Sequence, residues 1–186
     1  MKVVGLCGAS GSGKTTLAEG VITALKAAGC KVSVVKHAHK RFDIDTPGKD
    51  SWRHREAGAF EVLVANSRRL ALMREHETEH EPDVHQLLAE LADLSVLGHE
   101  HWVLVEGFKH ADLPKIEVWR EARPAALLYP VDPYVVAVAT TTPLPEPTGL
   151  PVLDLDQPAT VAAFLRQHAQ RYEYLAPDES DPGDAA

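Results

Sequence analysis

The sequence predicts a three-layer α/β/α sandwich with a mostly parallel sheet and an antiparallel hairpin. Three observations lead there. Apolar runs too short for buried helices alternate with stretches of helical spacing over most of the chain, the pattern of strands covered on both faces. The first such run, Lys2 to Cys7, is followed at once by a Gly/Ser cluster and an amphipathic helix. One pair of apolar runs, Phe60 to Ala65 and Arg69 to Arg74, is joined by only Asn66-Ser67-Arg68, the mark of a hairpin that would make the sheet mixed.

The elements follow in order. Lys14 to Ala28 carries Leu17, Val21, Leu25 and Ala28 on one helical stripe, and Gly29 stands where a C-terminal cap belongs. Lys31 to Lys36 is a second β-branched strand, and the right-handed crossover rule makes it parallel to the first. A polar stretch from Lys36 to Asp50 leads to a short helix over Ser51 to Gly58, then to the hairpin and an exposed acidic loop, Glu75 to Glu81. Asp83 caps a helix expected to reach Leu94. His101 to Glu106, Ile116 to Arg120, Tyr134 to Ala139 and Val152 to Leu155 read as further strands, and Ala159 to Gln170 as a closing helix. Residues 1–175 are thus expected to form one nucleotide-binding domain. The tail, Ala176 to Ala186, holds four acids and two prolines with no large apolar residue, so it has too little to bury and is expected to be disordered.

Composition narrows the functional classes. The chain has 186 residues, 45% hydrophobic and 25% charged, which suits a folded domain without a disulfide scaffold. Its two cysteines, Cys7 and Cys30, sit in no C-x-x-C spacing and read as small core residues. A net charge of −8 argues against a basic nucleic-acid-binding face. No apolar run is long enough for a membrane span and no signal peptide is visible, so a cytoplasmic protein is expected.

Gly8-Ala9-Ser10-Gly11-Ser12-Gly13-Lys14-Thr15 satisfies the pattern G-x-x-x-x-G-K-[ST] at every specified position. By chance the pattern should arise in roughly 1% of chains this long, before the flanking strand and helix are required. Each residue type has a reason. Gly8, Gly11 and Gly13 let backbone N–H groups turn inward around phosphate oxygens, with Ser10 and Ser12 between them. The helix N-terminus, through Thr16, adds unpaired N–H groups and the positive end of a dipole. Lys14 reaches phosphate as a point charge, and the Thr15 hydroxyl is a ligand for Mg²⁺. Without ligand, Lys14 is expected to face only backbone donors.

A P-loop also needs an acid at the end of a neighbouring buried strand, close to the metal. Glu106, ending Trp102 to Glu106, is the candidate for metal and catalytic roles; the bland alternative is a solvated strand end. Asp43 and Asp45, in the loop after the second strand, are candidates for orienting water or reaching Mg²⁺ through its hydration shell. His37 and His39 in the same loop could meet phosphate, form part of a transition-metal site, or simply be solvated. Lys49, Arg53 and Arg55 could meet phosphate or a partner's acids, or be an ordinary solvated face.

These residues resemble the MobB family of molybdopterin-guanine dinucleotide biosynthesis. The resemblance rests on the P-loop together with Lys36-His37-Ala38-His39, Phe42-Asp43-Ile44-Asp45, Pro47-Gly48-Lys49-Asp50-Ser51 and Val105-Glu106-Gly107-Phe108-Lys109-His110. It continues through Lys115-Ile116-Glu117-Val118, Val136 to Ala139 and Leu153-Asp154-Leu155-Asp156, covering about residues 2–170. It implies a homodimeric GTP-binding adaptor with Mg²⁺ and weak GTPase activity, assisting the guanylyltransferase MobA that joins GMP to molybdopterin. The hairpin would contribute to pairing of the subunits. Ala9 stands where many MinD-like relatives carry a signature lysine, which excludes a catalytic lysine supplied across a dimer from that position.

Guanine preference has no motif of its own here. The chain lacks an N-K-x-D box, and Thr140-Thr141-Thr142-Pro143 contains no acid. Guanine offers N–H donors, so a carboxylate is its natural reader. Asp154 and Asp156 at the last short strand are the candidates, against a turn or helix-cap role. The rival function is a small P-loop kinase transferring phosphate from ATP to a metabolite. Such kinases commonly close an arginine-rich lid, whereas Glu75 to Glu81 is acidic and arginine-free.

Overall fold

In the computed structural model the described residues are 1–38, 42–78, 81–91, 98–123 and 125–177. They form two compact units. The first comprises Met1–His37 and the chain from Asp83 onward; the second is Ala38–Pro82.

The first unit is built on a six-stranded sheet: β1 (Lys2–Cys7), β2 (Lys31–Lys36), β5 (His101–Glu106), β6 (Lys115–Val118), β7 (Val135–Thr140) and β8 (Val152–Asp154). Their spatial order is β2-β5-β1-β6-β7-β8, and every neighbouring pair is parallel. The sheet is therefore not mixed. β3 (Glu61–Ala65) and β4 (Leu70–Arg74) pair antiparallel as a separate two-stranded sheet in the second unit, beside α2 (Asp50–Glu56).

Strand alternation sorts the core. Val4 and Leu6 of β1, Trp102 and Leu104 of β5, and Ala137 and Ala139 of β7 face one layer. There they meet Leu17, Val21 and Leu25 of α1 (Lys14–Ala27) and Val161 and Leu165 of α4 (Pro158–Gln167). Ala28, expected on that stripe, is exposed just past the end of α1. Val3, Val103 and Val105 point the other way, onto Val84 and Leu88 of α3 (Val84–Ala89). Asp83 caps α3 as expected, accepting from the N–H groups of His85 and Gln86. α3 ends at Ala89, short of the expected Leu94, with a turn at Glu90 and Leu91; residues 92–94 lie outside the described residues, as does the tail from residue 178. Cys7 and Cys30 are free and buried. No helix among the described residues is long and apolar enough to cross a membrane.

Next to α3 the second layer is completed by irregular chain, residues 119–123 and 125–134, rather than by a helix. Trp119 and Tyr129 cover Cys7 and Val138 there. Such a loop must satisfy its own backbone polar groups, and Glu117 of β6 takes two of its N–H groups while Lys115 of β6 pairs with the Asp132 side chain. Glu117, 2% exposed, accepts from the N–H groups of Leu128 and Tyr129 at 2.8–3.1 Å. Burial raises its pKa, and those backbone donors pull it back. Lys115, 1% exposed, donates to the carbonyls of Lys109 and Ala111 and to Asp132 at 2.6–2.9 Å. With all three ammonium protons used, its burial is compensated.

Gly20 lets α1 and α4 approach: a Cβ there would stand 2.4 Å from Pro158 Cγ. On an exposed helix, Gly→Ala stabilises by about 1 kcal/mol through propensity. Here the clash with a rigid ring should win, and Gly20→Ala should lower stability by about 1–3 kcal/mol. Urea unfolding of the two proteins checks this, and a variant more stable than the wild type would contradict it.

Candidate nucleotide site

The chain leaves β1, buried on both faces at the middle of the sheet, and must reverse within a few residues to enter α1. Gly8 makes that turn at φ +126°, with a Cβ position only 2.2 Å from the carbonyl oxygen of Val118. No side chain fits, so the loop's first glycine is fixed by the β6 backbone and not only by a ligand. Gly13, at φ +104°, precedes α1, whose first turn begins at Lys14. Ser10 and Gly11 are exposed at the loop's outer edge, and Thr16 is exposed on the first turn of α1. Ser12 turns inward, its hydroxyl buried with no hydrogen-bond partner.

Lys14 does not face only donors. Its ammonium donates to the carbonyls of Gly8 (2.9 Å) and Ala9 (2.7 Å), curling back over its own loop. The expectation of a lysine without acceptors is corrected: glycine-rich turns that aim N–H groups inward also leave carbonyls within reach of a long side chain. Burial lowers the Lys14 pKa from the ordinary lysine range, and Glu106 opposes that shift.

β5 runs beside β1 in register, Leu6 opposite Glu106, and so delivers Glu106 to the P-loop. The Thr15 hydroxyl donates to Glu106 Oε1 at 2.9 Å, and Lys36 Nζ lies 3.6 Å from the same oxygen. Two oxygen donors of this kind, from an alcohol and a carboxylate, are hard ligands of the type Mg²⁺ takes. The residues present therefore fit that ion. Beyond Glu106, Gly107 crosses close to His37, and the His37 ring stacks on Phe108 with centroids 5.0 Å apart. Lys109 and Ala111 are then held from below by Lys115.

On the other side of the loop, Arg120 was not singled out by the sequence. Its Nε donates to the Ser12 carbonyl at 3.0 Å, and its Nη2 lies 3.4 Å from Asp156. Arg120 thus links the P-loop to the segment after β8. Asp154 Oδ1 accepts from the Asp156 N–H, a local turn, and both acids are exposed. Leu155 between them is buried, with Cδ2 3.8 Å from the Cβ position of Gly13. Lys14, Thr15, Glu106 and Asp156 therefore meet around one loop.

Asp43 and Asp45 belong to the second unit. Asp45 Oδ1 accepts from the Thr46 N–H and the Ser51 hydroxyl, and Arg55 lies 3.2 Å from Asp43 and 3.6 Å from Asp45. Arg55 also reaches Glu75 at 3.0 Å. Asp45 is the more enclosed acid, its side chain 6% exposed against 47% for Asp43. Arg55 is thus engaged with acids of its own unit. His39 lies outside the described residues, and no group of three or more His, Cys, Asp or Glu side chains among them could hold a metal ion.

Both the sequence and the fold match known proteins. The family described as MobB, molybdopterin guanine dinucleotide synthesis protein B, matches residues 3–141. The molybdopterin-guanine dinucleotide biosynthesis adapter protein of Escherichia coli (strain K12) is 41% identical over 165 residues, 87% of this chain and 90% of its own length. That of Haemophilus influenzae is 41% identical over 163 residues, covering 88% and 86%. Among solved structures, Bacillus subtilis MobB superposes with a TM-score of 0.63 at 26% identity, over 90% of this chain and 98% of that one. The MobB homolog from Bacillus stearothermophilus gives 0.63 at 25% identity, over 91% and 99%. With the family matched over most of its length, this chain belongs to the MobB family.

Proposed function

We propose that this chain is a GTP-binding adapter that uses Mg²⁺, hydrolyses GTP slowly at most, and assists attachment of GMP to molybdopterin. As a member of its family it has its role in molybdopterin guanine dinucleotide synthesis. The observation that carries the nucleotide reading is the convergence of Lys14, Thr15 and Glu106 on the glycine-rich loop. Thr15 and Glu106 would hold Mg²⁺, which supplies charge neutralisation at the phosphates. Lys14 would exchange its two carbonyl acceptors for phosphate oxygens, a charge-assisted and stronger pairing. Gly8 to Gly13 would contribute N–H groups, and Asp154 or Asp156 would accept from guanine. Asp43, the more exposed of its pair, remains the candidate for orienting water.

The loop after Glu106 contains Lys109 and His110 but no acid before Asp112, and that acid bonds to His85. Glu106 is the acid in contact with the P-loop, and it is shared with Thr15 and Lys36. That supports slow turnover, as suits an adapter better than a kinase. The partner in this reading is MobA, the molybdopterin guanylyltransferase.

Pairing of two copies through the hairpin is part of the proposal. In the β3–β4 register Leu63 stands opposite Leu72 and Ala65 opposite Leu70, all on one face. Leu63 and Leu70 are 59% and 65% exposed, more than an isolated hairpin sustains without cover. Sedimentation at micromolar concentration should show a dimer. Leu63→Lys combined with Leu72→Lys should shift it toward monomer while the circular dichroism spectrum is kept. A wild-type monomer would contradict the pairing.

Two further outcomes test the site. In a titration panel, GTP should bind more tightly than ATP, and Mg²⁺ should strengthen GTP binding in the wild type more than in Glu106→Gln. Equal affinity for both nucleotides would remove the guanine reading. Lys14→Ala should weaken GTP binding by about 30- to 1,000-fold, and GMP binding much less. Because Lys14 has two acceptors without ligand, the same substitution should lower stability of the free protein by about 1 kcal/mol. Unchanged GTP affinity would refute the phosphate site.

A further inference from the structure

Arg123 stands at the outer edge of the P-loop with no assigned role. Its Nε lies 3.4 Å, and its Cζ 3.9 Å, from the position a Cβ would take on Gly11. Gly11 has φ +75° and is exposed, so the guanidinium rests against bare backbone at the most open part of the cradle. In a chain with 27 acidic residues, Arg123 has no ion pair or side-chain hydrogen bond among the described residues. Its neighbour Arg120 is engaged, through the Ser12 carbonyl and Asp156.

The loop bearing both arginines is not loosely placed. The Arg123 N–H donates to the Arg120 carbonyl at 2.9 Å, closing a turn between them. Arg120 ties the front of that turn to the P-loop, and Glu117 ties its continuation by holding the N–H groups of Leu128 and Tyr129. Glu117 is itself opposite Cys7 in the β1–β6 register, one residue before the loop. A guanidinium carried on a turn that Arg120 ties to the P-loop presents a planar, permanently charged fork, the group best matched to phosphate oxygens.

From this placement we infer that Arg123 is a polyphosphate-binding residue, supplied by the β6–β7 loop of the same chain, which closes the open edge of the P-loop over bound nucleotide. Arg120 is a positioning residue that fixes the turn. The inference rests on the nucleotide reading of the P-loop and adds a second cation to Lys14.

The test is calorimetric titration of wild type, Arg123→Ala, Arg123→Lys and Lys14→Ala with GTP, GDP and GMP. Arg123→Ala should weaken GTP binding by about 10- to 100-fold, with the loss growing from GMP to GDP to GTP. Arg123→Lys should recover part of it, and the gap between wild type and Arg123→Ala should shrink as salt is raised. The melting temperature without ligand should not move, because the side chain has no hydrogen bond or ion pair to lose among the described residues. Wild-type GTP affinity in Arg123→Ala, with Lys14→Ala defective, would overturn the inference and leave the P-loop reading intact. The same loss factor for GMP and GTP would overturn it too, placing the arginine on base or sugar. A wild-type protein that binds none of the three would bring down both.

Discussion

The tightest constraint in this protein is the turn out of β1. Gly8 has to leave a strand buried on both faces while its Cα passes directly against the Val118 carbonyl. Everything around the site inherits its position from that contact. It sets the P-loop in the gap between the ends of β5 and β6, so Glu106 arrives on one side and Arg120 on the other. It also starts α1 where Thr15 can reach Glu106, across 91 positions of sequence. A P-loop here is less a feature added to the sheet than the way the central strand ends.

The second theme is how a loop can replace a helix in a layered fold. Where α3 ends, residues 119–123 and 125–134 cover the sheet, and their backbone groups need partners that a helix would have provided internally. β6 answers for two of them with the buried Glu117, and its buried Lys115 steadies the same loop through a side chain. Glu117 holds the segment at Leu128 and Tyr129, and Lys115 joins Asp132 to the stretch that follows Glu106. Buried charges rarely add net stability over apolar replacements, so their value lies in fixing geometry. They set the two loops that flank the P-loop, the one after Glu106 and the one carrying Arg120. Cys7, close to both charges, is kept as an inert thiol: burial and the nearby Glu117 push its pKa up to about 12.

Much of this was legible in the sequence because the governing signals are local. Lys2–Cys7, Lys31–Lys36 and His101–Glu106 are strands at the expected residues, since a short apolar run bounded by polar ends has few other solutions. The G-x-x-x-x-G-K-T spacing likewise predicts a turn whose geometry the backbone then adopts. What stayed hidden depends on residues distant in sequence. Arg120 and Arg123 carry no motif, and nothing local says that they sit against Ser12 and Gly11. Lys115 and Glu117 read as polar interruptions of a strand until both ends of their hydrogen bonds are known. The acceptors of Lys14 were missed for a related reason: attention to inward N–H groups leaves out the carbonyls of the same peptides. The hairpin lies where its two apolar runs place it, but it forms its own sheet, because no sequence period says which sheet a strand pair joins.

The account stands on one exchange, in which the Lys14 ammonium gives up its own loop's carbonyls for phosphate. The most direct measurement is a crystal structure of this chain with Mg²⁺ and a non-hydrolysable GTP analogue. The account predicts that Lys14 Nζ leaves the Gly8 and Ala9 oxygens for phosphate oxygens, with a cation between Thr15 and Glu106. An analogue bound elsewhere, with Lys14 still on those two carbonyls and Thr15 still bonded to Glu106, would contradict it.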